Sequence, residues 1–405
     1  MTSPAAAPRG GLRVAQVRVL PVTLPIRHPL RYTQGQVREF QRIIVELSTD
    51  DGLVGYGECR GDALRHTMLT GLAESLVGMD PYQLEALRWR VAPQGLVELF
   101  SGTVAVQAYS AIEMACLDLI GKATGRGVSD LLGGRVRDEV DIAGYLYYFG
   151  DAGAGEPAEE ELLGFAAETV ARHGFRTLKY KCGVWDPGTE IATLRRLREN
   201  FGGHALRIDP NGAWGMATGA RFLAAAREVG VQYCEDPGAT LAKNARIREL
   251  GIGVPLASNQ AVASLESLAL DQAFGAIDIP LIDVNWYGGL RASVLAARMA
   301  ELLGRDVGIH SSMESAISQA AQLHLAACIP NLPYASDSHY LYLESDLGRD
   351  GPIPIAAGRM TVPAGPGLGV EVDPGALERH HRLWQETGFL SWDNPGGRAV
   401  TLPRW

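Results

Sequence analysis

The chain has 405 residues, 46% hydrophobic and 20% charged, which suits one large core plus a smaller accessory unit. A formal net charge of -9, with Lys and Arg scattered along the chain, argues against nucleic acid or an anionic membrane surface as a partner. Five cysteines, odd in number and without a CxxC pair, speak against a disulfide framework or a zinc knuckle.

Residues 1–11 (MTSPAAAPRGG) read as a disordered tail with no apolar signal-peptide core. No uninterrupted apolar run reaches the ~20 residues of a membrane span, so a reducing cytoplasm is the expected location. Two strand-like stretches follow, VAQVRVLPVTLP and FQRIIVELSTDDGLVGYGEC. The second holds Asp51-Gly52 between apolar alternations, a hairpin signal. Residues 81–125 turn helical, and AVQAYSAIEMACLDLIGKATG ends on Gly125. This predicts an α+β unit.

From about residue 140 a different rhythm begins: an apolar strand-like run ends in polar residues, an Ala/Leu-rich helix follows, and the unit repeats. The strand ends are LKYKCG, LRIDPNG, VQYCEDP, VPLASNQ, IPLIDVN, VGIHSS and LPYASDS. Their polar residues are Lys181, Asp209, Glu235, Asn259, Asp283, His310 and Asp337, separated by 28, 26, 24, 24, 27 and 27 positions. Such even repetition favours a closed parallel barrel. DIAGYLYY supplies an eighth strand. An open doubly wound sheet is the competing architecture, but no Gly-rich phosphate loop follows the first strand. In a barrel, the carboxyl ends of the strands share one rim, so these residues are expected to converge.

A single polar residue at a strand end is most often a solvated edge. Three acids, an amide, a histidine and a lysine pair make a more specific set. Asp209, Glu235 and Asn259, on consecutive strands, offer oxygen ligands to a hard cation such as Mg²⁺. Lys179 and Lys181, two apart on one strand, share a face, where adjacent ammonium groups depress each other's pKa and free one as a base. Asp283 precedes His310 by one βα unit and is expected to orient it and support its charge. A lysine and a histidine flanking a cation suit abstraction of the weakly acidic proton α to a carboxylate.

These residues resemble those of the enolase superfamily, and within it the glucarate dehydratase subgroup of acid-sugar dehydratases. The resemblance runs over nearly the whole chain after the tail, through AIEMACLDLIGKATGRGVSDLLGG, GYLYYFGD, the KxK of LKYKCGV, RIDPNGAW, CEDP, LASN, IDVNWYGG, GIHSS, ASDSHYLYLE and PGLGVEVD. It implies a modified TIM barrel, (β/α)7β, under an α+β capping domain. The tail is 1–11, the cap 12–135 and the barrel 136–354, and segment 355–405 returns to the cap. By resemblance Asp209, Glu235 and Asn259 hold Mg²⁺. Lys181 is the base on one face, and His310 with Asp283 is base or acid on the other. Lys179 supports the substrate carboxylate. Asn211 and His339 contact the substrate, with Asp337 a partner for His339; Ser311 and Tyr147 are further candidates for the substrate pocket. Homo-oligomers are usual in the family.

Three features depart from the subgroup. Segment ETGFLSWDNPGGRA lacks a clear counterpart of a substrate-holding arginine. Gln36 stands near the place of a capping-loop histidine, and Ser312 where an asparagine is expected. The implied activity is loss of water from an acid sugar to a 2-keto-3-deoxy acid, on a changed substrate such as a monoacid. Racemisation or epimerisation by the same Lys/His pair is the alternative, and a non-catalytic acid-sugar binder the third. His324 is expected in the core and His380 and His381 in solvent, while Cys182 and Cys234 should pack on the other strand face. Tyr147 and Trp214 are read evenly between pocket and packing.

Overall fold

The computed structural model describes residues 11–33, 35–92, 102–150 and 159–389. Almost all of the 1–11 tail therefore lies outside the described residues. Three strands open the chain as an antiparallel meander: β1 (Gln16–Tyr32), β2 (Gly35–Ser48) and β3 (Val54–Arg60). The β2–β3 connection is the Asp51-Gly52 turn, with Gly52 at φ 85°; there the left-handed conformation suits glycine. Helices α1 (Ala63–Leu76) and α3 (Gly102–Thr124) cover this sheet, and α2 (Leu84–Val91) packs on α3. The approach of α3 to β3 depends on two glycines. A Cβ on Gly57 would stand 1.9 Å from the Ala111 carbonyl oxygen, and one on Gly55 would stand 2.3 Å from that of Ala115. Residues 104–124 are apolar and long enough to cross a membrane, but they lie largely buried in the protein.

The short helix α4 (Val128–Leu131) leads to β4 (Glu139–Asp141), β5 (Ala143–Leu146) and β6 (Tyr148–Phe149). The parallel sheet then runs β5, β7 (Thr177–Lys181), β8 (Ala205–Asp209), β9 (Tyr233–Glu235), β10 (Leu256–Ser258), β11 (Ile279–Ile282) and β12 (Gly308–Ile309), each strand beside the next. Residues 335–337 occupy the eighth place. Asp337 N donates to Ile309 O at 3.0 Å, Ser336 N to Asp141 O at 2.7 Å, and Ala143 N to Ser336 O at 2.9 Å. Those bonds join both edges of the sheet and close the ring.

Helices alternate with the strands: α5 (Glu159–His173), α6 (Pro187–Asn200), α7 (Met216–Val229), α8 (Leu241–Arg248), α9 (Leu265–Phe274), α10 (Leu290–Leu302) and α11 (Ala316–Cys328). Their ends follow local chemistry. Asp186 caps α6 through the Gly188 and Thr189 amides, with Pro187 in its first turn, and Gly230, at φ 74°, ends α7.

Strand β13 (Arg359–Thr361) pairs with β4, and α12 (Pro374–Thr387) returns to the meander. Contrary to the expectation for solvated histidines, His380 is buried there and bonds Thr23 O at 2.9 Å, while His381 bonds Pro21 O at 2.7 Å. A polar helix gave no sign that its histidines would find backbone carbonyls on β1. His324 is in the core, between Ser129 N and Leu368 O. All five cysteines are buried and unpaired.

Candidate active site at the barrel mouth

A cavity of about 440 Å³ opens where the strand ends meet the meander. Lys181, Asn211, Asn259, His310, Ser311, Tyr147 and His339 line it, with Tyr32, Arg42 and Gln107 from the N-terminal unit. In the ring, Lys181 ends β7 and His310 follows β12; Asp209, Glu235 and Asn259 lie on the arc between them.

The backbone around the three oxygen-bearing residues is held tightly. Asn211 and Asp236 adopt φ of 49° and 40°, a region that Asn and Asp tolerate better than most residues. Asn211 N donates to Asp209 Oδ1 at 2.8 Å. The Asp236 carboxylate accepts from Ser258 Oγ, the Asn259 amide and the Gln260 amide, which ties the β9 end to the β10 end and places Asn259. Burial, with the charge of Asp209, pushes Asp236 up to about 7.

Lys181 Nζ donates to Asp209 Oδ2 and lies 3.4 Å from Asn211 Oδ1. Lys179 takes a different place from the one expected. It is fully buried, with Nζ donating to Glu235, to Asp337 Oδ2 at 2.5 Å and to Tyr145 Oη at 3.1 Å. It does not line the cavity. Burial opposes its charge, but Asp337, Glu235 and Asp209 outweigh burial and hold its pKa well above the ordinary lysine value. The expected mutual depression of the two lysines therefore does not govern Lys179. Burial and the Asp209 charge push Glu235 well up. For Asp209, Lys181 and Lys179 overcome burial and hold it below the usual carboxylate range.

The chemistry of this donor set fits a hard cation. Among the described residues no three His, Cys, Asp or Glu side chains form a metal-holding group; Asp209 and Glu235 could hold a cation with the Asn259 amide as a further oxygen donor. Its oxygen is turned toward acceptors alone, Glu235 Oε1 and Asp236 Oδ2. Turning the amide over would let its nitrogen donate to them at 3.0 and 2.8 Å, with its oxygen accepting from His310 Nε2 at 3.2 Å. The first orientation suits a shared cation, the second a cation-free cluster.

On the other flank, His310 Nδ1 lies 2.9 Å from Asp283 Oδ2, which also accepts from Ser312 Oγ at 2.5 Å. Asp283 Oδ1 accepts from the Asn285 and Trp286 amides. Burial raises Asp283, but the His310 bond and charge dominate and hold it below the usual range. The geometry presents Nε2 of His310 to the cavity.

Asp337 is not the partner of His339. It accepts from Lys179, and Arg207 Nη1 lies 3.5 Å away, one layer below the rim. His339 instead sits between Tyr147 Oη and Ser311 Oγ, each 2.6 Å from a ring nitrogen, and Ser311 Oγ donates to Glu314 Oε2 at 2.6 Å. With the Ser311 hydrogen given to Glu314, Ser311 accepts from His339 Nδ1–H. Nε2 is then left to accept the Tyr147 hydroxyl hydrogen. Burial, and then the Lys181 and His310 charges, keep His339 neutral, well below its usual pKa. Burial pushes Glu314 up to about 7. Trp214 takes no part; it is buried and stacked on Phe222. Gln36 is buried in β2 and donates to Gly150 O at 2.5 Å. Most of segment ETGFLSWDNPGGRA lies outside the described residues.

Sequence reasoning passed over Asp236, Glu314, Arg42 and Gln107. Asp236 adjoins Glu235 and Glu314 lies four positions after His310, which are faint signals; nothing in the sequence marks the other two.

Comparison with known proteins agrees over most of the chain. Residues 14–133 match the family described as mandelate racemase/muconate lactonizing enzyme, N-terminal domain, and residues 161–376 match the enolase C-terminal domain-like family. A probable glucarate dehydratase from Streptomyces coelicolor is 34% identical over 97% of each chain. An N-succinyl-L-Arg/Lys racemase from Bacillus cereus is 24% identical over 91% of this chain and 97% of its own. An enolase from Pseudomonas fluorescens, solved with bound magnesium, potassium and tartrate, superposes with a TM-score of 0.86 at 32% identity and 94% coverage of both chains.

Proposed function

We propose, from the premise that this chain belongs to the enolase superfamily, that it is a Mg²⁺-dependent acid-sugar dehydratase. One observation carries the reading: Lys181 and His310 face a single cavity from the two flanks of the arc that bears Asp209, Glu235 and Asn259. The name of the Streptomyces relative, and the magnesium and tartrate bound by the Pseudomonas one, point the same way. Asp209, Glu235 and Asn259 are the residues that would hold Mg²⁺, which when bound supplies positive charge to the substrate carboxylate.

The remaining work falls to side chains. Lys181 Nζ, poised at Asp209 and Asn211, takes the proton from C2 on its flank. His310, with Nδ1–H bonded to Asp283 and a second proton on Nε2 toward the cavity, gives that Nε2 proton to the departing 3-hydroxyl. The bond pairs of C2–H and C3–O shift to leave an enol, which becomes the 2-keto-3-deoxy acid. Tyr147, its hydrogen engaged by His339, offers lone pairs to a substrate hydroxyl. Asn211 stands beside Lys181 as a second polar contact. Lys179, buried beneath, steadies the Glu235 and Asp337 carboxylates.

A second reading, racemisation or epimerisation at C2, is favoured by the same two-sided placement and by the Bacillus racemase. Incubation of a panel of 2,3-dihydroxy acids with Mg²⁺ in D₂O tests both. Formation of 2-keto acid supports dehydration. Deuterium at C2 with inversion and no keto acid supports the second reading. No exchange and no keto acid with any member would refute both.

A further inference from the structure

Glu314 is a buried carboxylate that the proposed reaction does not use, yet it ends a chain of hydrogen bonds that starts on the cavity wall. The chain runs from Tyr147 Oη through the His339 ring and Ser311 Oγ to Glu314 Oε2, and each link is 2.6 Å long. Tyr147, His339 and Ser311 line the cavity, with Glu314 behind them. The other carboxylate oxygen, Oε1, accepts from the Ser312 amide and from Gln322 Nε2 at 2.8 Å. Gln322 Nε2 also donates to His310 O at 3.2 Å, so both donors on Oε1 are fixed. Ser311 Oγ accepts in addition from the His339 amide at 3.1 Å. Tyr145 and Phe40 pack edge-on against the His339 ring, with centroids 4.4 and 6.0 Å away, and keep it in its plane.

We infer that Glu314 is a positioning residue: by accepting alone, it sets the direction of the whole chain, holding His339 as its Nδ1–H tautomer and Tyr147 as an acceptor toward the cavity. Ser311 gives its hydroxyl hydrogen to the carboxylate, takes the hydrogen on His339 Nδ1, and leaves Nε2 to take that of Tyr147. Glu314→Gln reverses every link. The Ser312 amide keeps the side-chain oxygen in the Oε1 place, so the new NH₂ takes the Oε2 place and donates to Ser311 Oγ. Ser311 then has to donate to His339 Nδ1, and the ring hydrogen moves to Nε2. Nε2 in turn donates to Tyr147 Oη, whose own hydrogen is freed for the cavity. Volume and the number of hydrogen bonds are kept, so the fold should survive. What the reversal does to turnover rests on the dehydratase reading; the tautomer does not.

The test is nitrogen NMR of the full chain, labelled with ¹⁵N-histidine and held with Mg²⁺ at about pH 8.5, above the Glu314 value of about 7, so that the carboxylate is charged. His339 is identified by the signals that vanish in His339→Asn. The wild-type ring should carry its hydrogen on Nδ1, and Glu314→Gln should move it to Nε2. Turnover of the best acid in the panel should fall at least roughly tenfold, the effect of one misdirected hydrogen bond, with Mg²⁺ affinity unchanged. An Nε2–H ring in the wild type overturns the inference, even where the variant fails to fold. So does a ring that stays Nδ1–H in the variant, or a loss of turnover without a change of tautomer, as a merely structural role would give. A switched ring with full turnover overturns its bearing on the reaction. If no acid in the panel turns over, the dehydratase reading fails while the two tautomers still decide this inference; turnover with an unswitched ring does the opposite.

Discussion

Replacing Asp283 with asparagine changes one charge and, through it, the protonation of one ring. Asp283 Oδ1 accepts from the Asn285 and Trp286 amides at 2.8 and 3.1 Å. An asparagine oxygen has to keep that place, so its NH₂ takes the Oδ2 position facing His310 Nδ1, now 2.9 Å away. An NH₂ there donates to Nδ1 and confines the single ring hydrogen to Nε2; without the carboxylate the ring no longer carries the second proton that makes it an acid able to give one up. The charge-assisted bond alone is worth about 1.5–3 kcal/mol. The protein interior strengthens the pair and loss of the second ring proton adds to the cost, so a loss of at least roughly 10²-fold in kcat is expected. Backbone contacts survive, so the thermal transition should move by only a few degrees. Water loss and C2 deuterium exchange should be followed together over pH. With Lys181 as base and His310 as acid, water loss falls sharply while exchange persists. A D283N protein that dehydrates its substrate within about threefold of wild type would refute the reasoning.

Other outcomes follow from the same geometry. Glu113 is fully buried, and desolvation pushes it up to about 7 from an ordinary 4.5. The folded state therefore holds a proton that the unfolded state releases, and stability falls as pH rises through the window from about 4.5 to 7, by up to about 3 kcal/mol. Glu113→Gln should flatten that slope in melting curves at pH 5 to 8; parallel curves would contradict it. Gly57→Ala places a methyl 1.9 Å from the Ala111 carbonyl and should cost about 3 kcal/mol or more in urea unfolding, whereas a neutral result would mean that α3 moves away freely. Mg²⁺ should raise the melting temperature, by about 2.7 kcal/mol of stability at a hundred times its dissociation constant. Asp209→Asn should remove most of that gain, and an unchanged gain would place the ion elsewhere.

Strand ends were legible because their polar residues recur at a nearly constant interval and because parallel βα units put carboxyl ends on one rim. Thus Lys181, Asn259 and His310 could be picked out as rim residues from sequence, and the structure places all three on the cavity wall. Depth was not legible. Two residues on one strand face differ by about 6.6 Å along the strand, so Lys179 and Lys181 share a face yet occupy different layers: one reaches the cavity, the other neutralises acids beneath it. The same blindness misassigned Asp337, whose neighbours are Lys179 and Arg207 on strands far away in sequence. His380 was misread because its acceptor, Thr23 O, belongs to a strand 357 positions earlier.

Sequence by itself determined the barrel rhythm, the residue types on its rim and the order in which they come around it, since spacing and face follow from local backbone periodicity. Only the tertiary structure decided which side chains reach the cavity, how residues 335–337 close the ring, and that Arg42 and Gln107 overhang the site from the capping side. Depth and overhang are set by how separate units pack, and no local pattern encodes the distance between them.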